Sequence, residues 1–101
     1  MSAPFITPDA RQDILAIWSY IAADSIHHAD LVEEAILATC DLAASIPRAG
    51  HRRPEFTGRD LFFLPVTAYE WYTVAYTSKT APIRIIGVFH GARDVRKLFR
   101  R

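Results

Sequence analysis

The sequence holds a single cysteine, Cys40, so no disulfide can join one part of the chain to another. That suits a reducing compartment. Its setting, LATCDLA, reads as a helix interior, where the thiol serves as a small apolar side chain and not as a nucleophile. No apolar run approaches the roughly 20 residues that a membrane-spanning helix needs. The start, MSAPFITPDA, has no basic flank ahead of an apolar signal core, so the expectation is a cytoplasmic protein with no membrane role. Neither G-x-G-x-x-G nor the Walker pattern occurs, and there is no G-x-S-x-G elbow. Nucleotide-cofactor and α/β-hydrolase chemistry therefore lose their usual sequence support, and no cofactor is expected. Metal-ligand spacing is also missing. His27 and His28 are adjacent, which on a helix turns their rings about 100° apart, and His51 has no cysteine or carboxylate at ligand spacing.

What is present is ordinary globular composition in an unusual order. Half the residues are hydrophobic, 12% are aromatic and 23% are charged, which argues against disorder. The length of 101 residues fits one domain over 1–101. Charge is segregated along it. Up to Ile46 the only base, Arg11, faces seven acids, whereas from Pro47 onward eleven bases face four acids. Such polarity suggests a cationic surface for an anionic partner, nucleic acid or an acidic protein segment; the alternative is mutual neutralisation of the two halves across the folded surface.

Residues 4–6 suit a short strand. Thr7 then supplies an N-cap, Pro8 the first helical position and Asp9 a favourable first-turn charge. Ala10, Ile14, Ile17, Trp18 and Ile21 recur at helical spacing, with Arg11, Asp13 and Ser19 expected to face elsewhere. Asp24 and Ser25 interrupt the pattern. A second helix fits His28 to Ile46 on the stripe Val32, Ala35, Ile36, Cys40, Ala43 and Ile46, and Pro47 cannot continue it. The short break implies an antiparallel helical hairpin. Residues 48–60, RAGHRRPEFTGRD, read as a long polar loop. LFFLPV at 61–66, EWYTVAYTS at 70–78 and IRIIGVFH at 83–90 read as three antiparallel strands, the last two joined through Lys79 to Pro82. Helices followed by strands predict an α+β domain: an N-terminal antiparallel helical hairpin packed on a small, largely antiparallel sheet. The other sheet face is expected to stay partly open, carrying Tyr and Trp from residues 69 to 76.

HGARD, residues 90–94, closes the last strand. Structurally, Gly91 turns the chain and Asp94 caps a short C-terminal helix, VRKLFRR. Functionally, Arg93 can hold a phosphate or carboxylate and His90 can move a proton near neutral pH.

Taken in order, ARQDILAIWSYIA, AILATCDLAASIPRAGHRRPEF, LFFLPV, YTVAY and IIGVFHGARD resemble the ParE branch of the RelE/ParE toxin superfamily over nearly the whole chain. The resemblance implies the toxin of a type II toxin–antitoxin pair, of the kind linked to plasmid stabilisation, neutralised by a ParD-like antitoxin in a hetero-oligomer. RelE-like members of the superfamily are ribosome-dependent mRNA endoribonucleases that use strand lysines and arginines with an Arg and a Tyr near the C-terminus. Here Arg93 keeps the arginine, but Phe99 stands at the tyrosine position. Leu61, Phe62 and Phe63 stand where those lysines are, and Thr73 where the strand arginine is. His90 or Tyr76 would have to substitute. ParE-like members instead inhibit DNA gyrase by trapping its cleaved DNA complex, with no catalytic residue of their own. On that implication Arg52, Arg53, Arg59, His90 and Arg93 are the target-binding candidates, with DNA contact inside the gyrase complex. Trp18, Tyr20 and Trp71 are the antitoxin-binding candidates, core burial being the competing reading for Trp18. Gly87 replaces an arginine common in relatives, which opens a third reading, a non-toxic antitoxin-binding member.

Overall fold

The computed structural model describes residues 3–53 and 60–91. Strand β1 (Phe5–Ile6) leads into helix α1 (Pro8–Ala22). The Thr7 hydroxyl accepts from the Ala10 N–H at 3.2 Å and donates to the Ile85 carbonyl at 2.8 Å, so one side chain both caps the helix and ties its start to the sheet. Ala23 to Ser25 break the hairpin. Helix α2 (Ile26–Ser45) begins two residues before the predicted His28, because the Ser25 hydroxyl caps it by accepting from the His28 N–H at 3.0 Å. It ends ahead of Pro47, as expected.

The predicted strands form as β3 (Phe62–Val66), β4 (Tyr69–Thr77) and β5 (Arg84–His90), antiparallel in sequence. Two short strands extend them to a five-stranded sheet of order β1-β5-β4-β3-β2. β1 runs parallel to β5, pairing Phe5 with Arg84 and Ile6 with Ile85. β2 (His51–Arg52) pairs antiparallel with β3, inside the segment expected to be an unbroken loop. The Tyr76 side chain explains that departure. Its hydroxyl donates to the Pro47 carbonyl at 2.8 Å and accepts from the buried Gly50 N–H at 2.9 Å, which lays the next residues alongside β3. The C-terminal helix expected after HGARD lies outside the described residues.

The core fills the space between the hairpin and one sheet face. Ala10 and Ile14 of α1, Val32, Ile36 and Cys40 of α2, and Val74, Tyr76, Ile85 and Val88 of the sheet meet there. Burial, with the neighbouring Asp41 carboxylate second, pushes the Cys40 thiol up to about 12, so it stays protonated and apolar in character. Leu61, Phe63, Ala75 and Phe89 form a second cluster. In register, Phe63 and Phe89 neighbour Ala75 and Thr73 of β4, on the side away from the helices.

Asp13 departs from expectation. It was expected to face away from the core, yet it is 7% exposed and its carboxylate accepts from the Val88 N–H at 3.0 Å. A bulge in β5, where Tyr76 pairs Ile85 but Ala75 pairs Gly87, breaks the ladder just before Val88. The helix supplies the missing acceptor. This bulge also shifts the alternation by one residue, so that both Ile85 and Val88 face the hairpin.

Candidate functional site

The cationic candidates fall at two ends of the sheet. Arg52, on β2, lies with its guanidinium 5.1 Å from the Phe62 ring centre, and Phe62 stacks on Tyr76 at 5.6 Å. The column Arg52, Phe62, Tyr76 thus starts in the core and ends at the sheet edge. Arg52 also forms a salt bridge with Asp60, whose other oxygen lies 3.4 Å from the Lys79 ammonium. Asp60 therefore gathers two cations from separate parts of the chain. Because Arg52 and Asp60 flank residues 53–59, their pairing closes the base of that segment. Arg53 is exposed next to this latch. Arg59 lies outside the described residues.

His90 stands at the far end. It pairs in register with Tyr72, four residues along β4 from Tyr76, a separation of about 13 Å on the strand alone. Its ring meets the Tyr72 ring edge-on at 5.4 Å. Gly91 follows with φ +55, the left-handed conformation that favours glycine, and so turns the chain out of β5 as expected. Arg93 lies outside the described residues. The structure does not bring Arg52 and Arg53 together with His90.

The aromatic candidates also separate. Trp18 is half-buried on α1, and its indole N–H donates to the Asp30 carboxylate on α2 at 2.8 Å, clasping the hairpin. Tyr20, two positions on and so about 200° round the helix, is 81% exposed. Trp71 is 51% exposed and belongs to a run of ring contacts: His28 to Tyr69 at 5.9 Å, Tyr69 to Trp71 at 5.7 Å, and Trp71 to Tyr72 at 6.1 Å. With His90 on Tyr72, this arc joins the start of α2 to the end of β5. The open face expected to carry Tyr and Trp from 69 to 76 is corrected accordingly. Tyr72 and Tyr76 turn toward the helices and are buried, because positions 72, 74 and 76 share that side of β4.

Tyr76 also answers a chemical question. Its hydroxyl is held between Pro47 and Gly50, and burial raises its pKa above the ordinary value, with the Gly50 N–H bond opposing that rise. A phenol so placed is a structural clasp. Strand β3 offers no exposed cation: Leu61 and Phe63 are buried and Phe62 lies between Tyr76 and Arg52. Asp60 went unnoticed as a site residue, although it had a signal, an acid closing an arginine-rich loop.

Against known proteins, the family model described as the ParE toxin of the type II toxin–antitoxin system parDE matches residues 5–95. Among solved structures, the chain is similar to one from the chromosomal ParDE toxin–antitoxin system of P. aeruginosa, with a TM-score of 0.74 and 17% identity over 90% of this chain and 97% of that one. At that identity the likeness is one of fold. No curated protein matches the chain.

Proposed function

The chain belongs to the ParE toxin family of type II toxin–antitoxin systems, and from that premise we propose that it is a binding toxin that poisons DNA gyrase. On this reading it works in the cytoplasm, seats itself on the gyrase–DNA complex and holds the cleaved state, while a ParD-like antitoxin neutralises it by covering its surface. Strand β3 carries the argument. Cutting RNA needs cations where negative charge develops and a group to move a proton. Positions 61–63 instead supply apolar packing, and the nearby tyrosine hydroxyl of Tyr76 is engaged with the backbone. Arg53 is exposed beside the Arg52–Asp60 latch, and in sequence Arg59 directly precedes Asp60 and Arg93 follows His90 by three residues; such cations suit contact with an anionic surface. The aromatic arc, in which exposed Trp71 stands on half-buried Tyr69, suits antitoxin anchoring.

The test incubates antitoxin-free chain with gyrase, supercoiled plasmid and ATP, and counts double-strand breaks trapped by denaturation and protease. Breaks requiring both proteins are expected, and Arg53→Glu with Arg59→Glu should reduce them about tenfold or more. Arg52 is spared in that variant because its loss would open the latch. Absence of breaks with folded chain would overturn the reading. Cleavage of ribosome-bound messenger RNA would replace it with the ribonuclease function, and inactivity in both assays with the non-toxic antitoxin-binding one.

A further inference from the structure

The acids of the N-terminal half sit on the hairpin. Helix α2 contains Asp30, Glu33, Glu34 and Asp41 and no lysine or arginine, and α1 contributes Arg11 as its only base. Among the described residues, Asp24, Glu33, Glu34 and Asp41 take part in no salt bridge. Among the described residues these four acids of the hairpin therefore meet no neutralising base.

Apolar side chains interrupt that surface in a regular way. Ile26, Asp30, Glu33, Leu37 and Asp41 succeed one another at spacings of four, three, four and four, which is one stripe of α2. Leu15, Trp18 and Ala22 form the matching stripe of α1. The Trp18–Asp30 hydrogen bond joins the two stripes, so they flank one seam along the hairpin. Ile26 is 62% exposed, Leu15 56% and Leu37 39%. Three large aliphatic side chains thus line a seam edged by carboxylates.

We propose that this seam docks a cationic amphipathic helix of a protein partner. Two antiparallel helices offer a groove in which a third packs, and α2 alone spans about 30 Å, room for about five turns of partner. Leucine-type residues on one side of the incoming helix meet Leu15, Ile26 and Leu37. Lysines or arginines flanking that side meet Asp30, Glu33, Glu34 and Asp41. A second copy of this chain does not fit, because its own hairpin presents the same negative charge. An acidic helix is repelled for the same reason. The seam is separate from the basic sheet edge, so one chain can hold partners of opposite charge on its two sides.

The test titrates the antitoxin-free chain with two synthetic helices of about 18 residues that share one leucine stripe, one flanked by lysine and the other by glutamate, following Trp18 emission and calorimetric heat. The lysine peptide is expected to bind about tenfold tighter at low salt, with the preference shrinking by about 0.5 M salt. Leu15→Ser with Leu37→Ser should weaken it about tenfold, and Glu33→Lys with Asp41→Lys should invert the preference. Leu15, Leu37 and Asp41 are exposed and Glu33 is half-buried, and thermal melting checks that each variant stays folded. Equal binding of both peptides, no binding of either, or a lysine-peptide affinity unmoved by the seam variants would overturn the proposal. Gyrase poisoning by the same variants is expected to persist, which separates a failure here from a failure of the gyrase reading.

Discussion

Replacing Tyr76 with phenylalanine removes one oxygen and leaves the stack on Phe62 in place, so it isolates the clasp. Two groups lose their partner: the buried Gly50 N–H, which then costs about 1–3 kcal/mol, and the Pro47 carbonyl, which costs about 0.5–1 kcal/mol. The sum, about 2.5 kcal/mol, lowers Tm by roughly 10–20 °C for a domain of this size. Gly50→Ala attacks the same point from the other side. A Cβ there would lie 2.7 Å from the Tyr76 hydroxyl and 3.1 Å from the Phe62 Cβ. Removing the hydroxyl relieves the first clash, so the double variant should lose about 1 kcal/mol less than the two single losses together. The titration supplies an independent check. Burial raises the folded pKa of Tyr76 above 10, so its contribution is complete below that pH and is lost as pH rises through the folded value. In a Cys40→Ala background, Tyr76→Phe should remove that alkaline limb. Denaturant titration and a pH series of melts measure all of this; a Tyr76→Phe loss under about 0.5 kcal/mol, or strict additivity with Gly50→Ala, would refute the clasp.

Asp13→Ala should cost about 1–3 kcal/mol by stranding the Val88 N–H, and Asp13→Asn, which keeps an acceptor oxygen, should cost less; amide exchange at Val88 reports the difference. Ala68 turns β3 into β4 with φ 72, so Ala68→Gly should stabilise by about 0.5–1 kcal/mol in chemical denaturation. Cys40 ionises near 9 when unfolded and near 12 when folded, so its contribution is complete below pH 9 and fades as pH rises through about 12. At neutral pH its labelling by a thiol reagent should follow unfolding, and fast labelling of native chain would place the thiol at the surface. Asp30→Ala frees the Trp18 indole at a partly exposed site and should cost no more than about 1 kcal/mol, with a shift in Trp18 emission.

Most of the scaffold was legible because its signals are local. Thr7-Pro8, Asp24-Ser25 and Pro47 punctuate the helices, and the period of two is clear in YTVAYT. What escaped depends on distant residues. The short strand at β1 was expected but its partner β5 was not, and β2, two residues long, exists only because Phe62 and Phe63 offer it an edge. Asp13 looked solvent-facing because an acid ordinarily is, and the bulge that needs it lies 75 residues away. The site fared similarly. Arg52 was recognisable as a basic loop residue, but not as half of a latch, since Asp60, Lys79 and Phe62 meet it only in the fold. Trp18 and Tyr20 looked like neighbours and occupy different flanks of one helix.

The place of β5 between β1 and β4 orders events during synthesis. The hairpin joins residues close in sequence and can assemble while the chain is still growing. Residues 5 and 6 must wait for residues 84 and 85, as must the Thr7 hydroxyl for its Ile85 carbonyl. A ribosome translating this message therefore exposes the acidic helices well before it delivers the strand that ties residues 5 and 6 into the sheet.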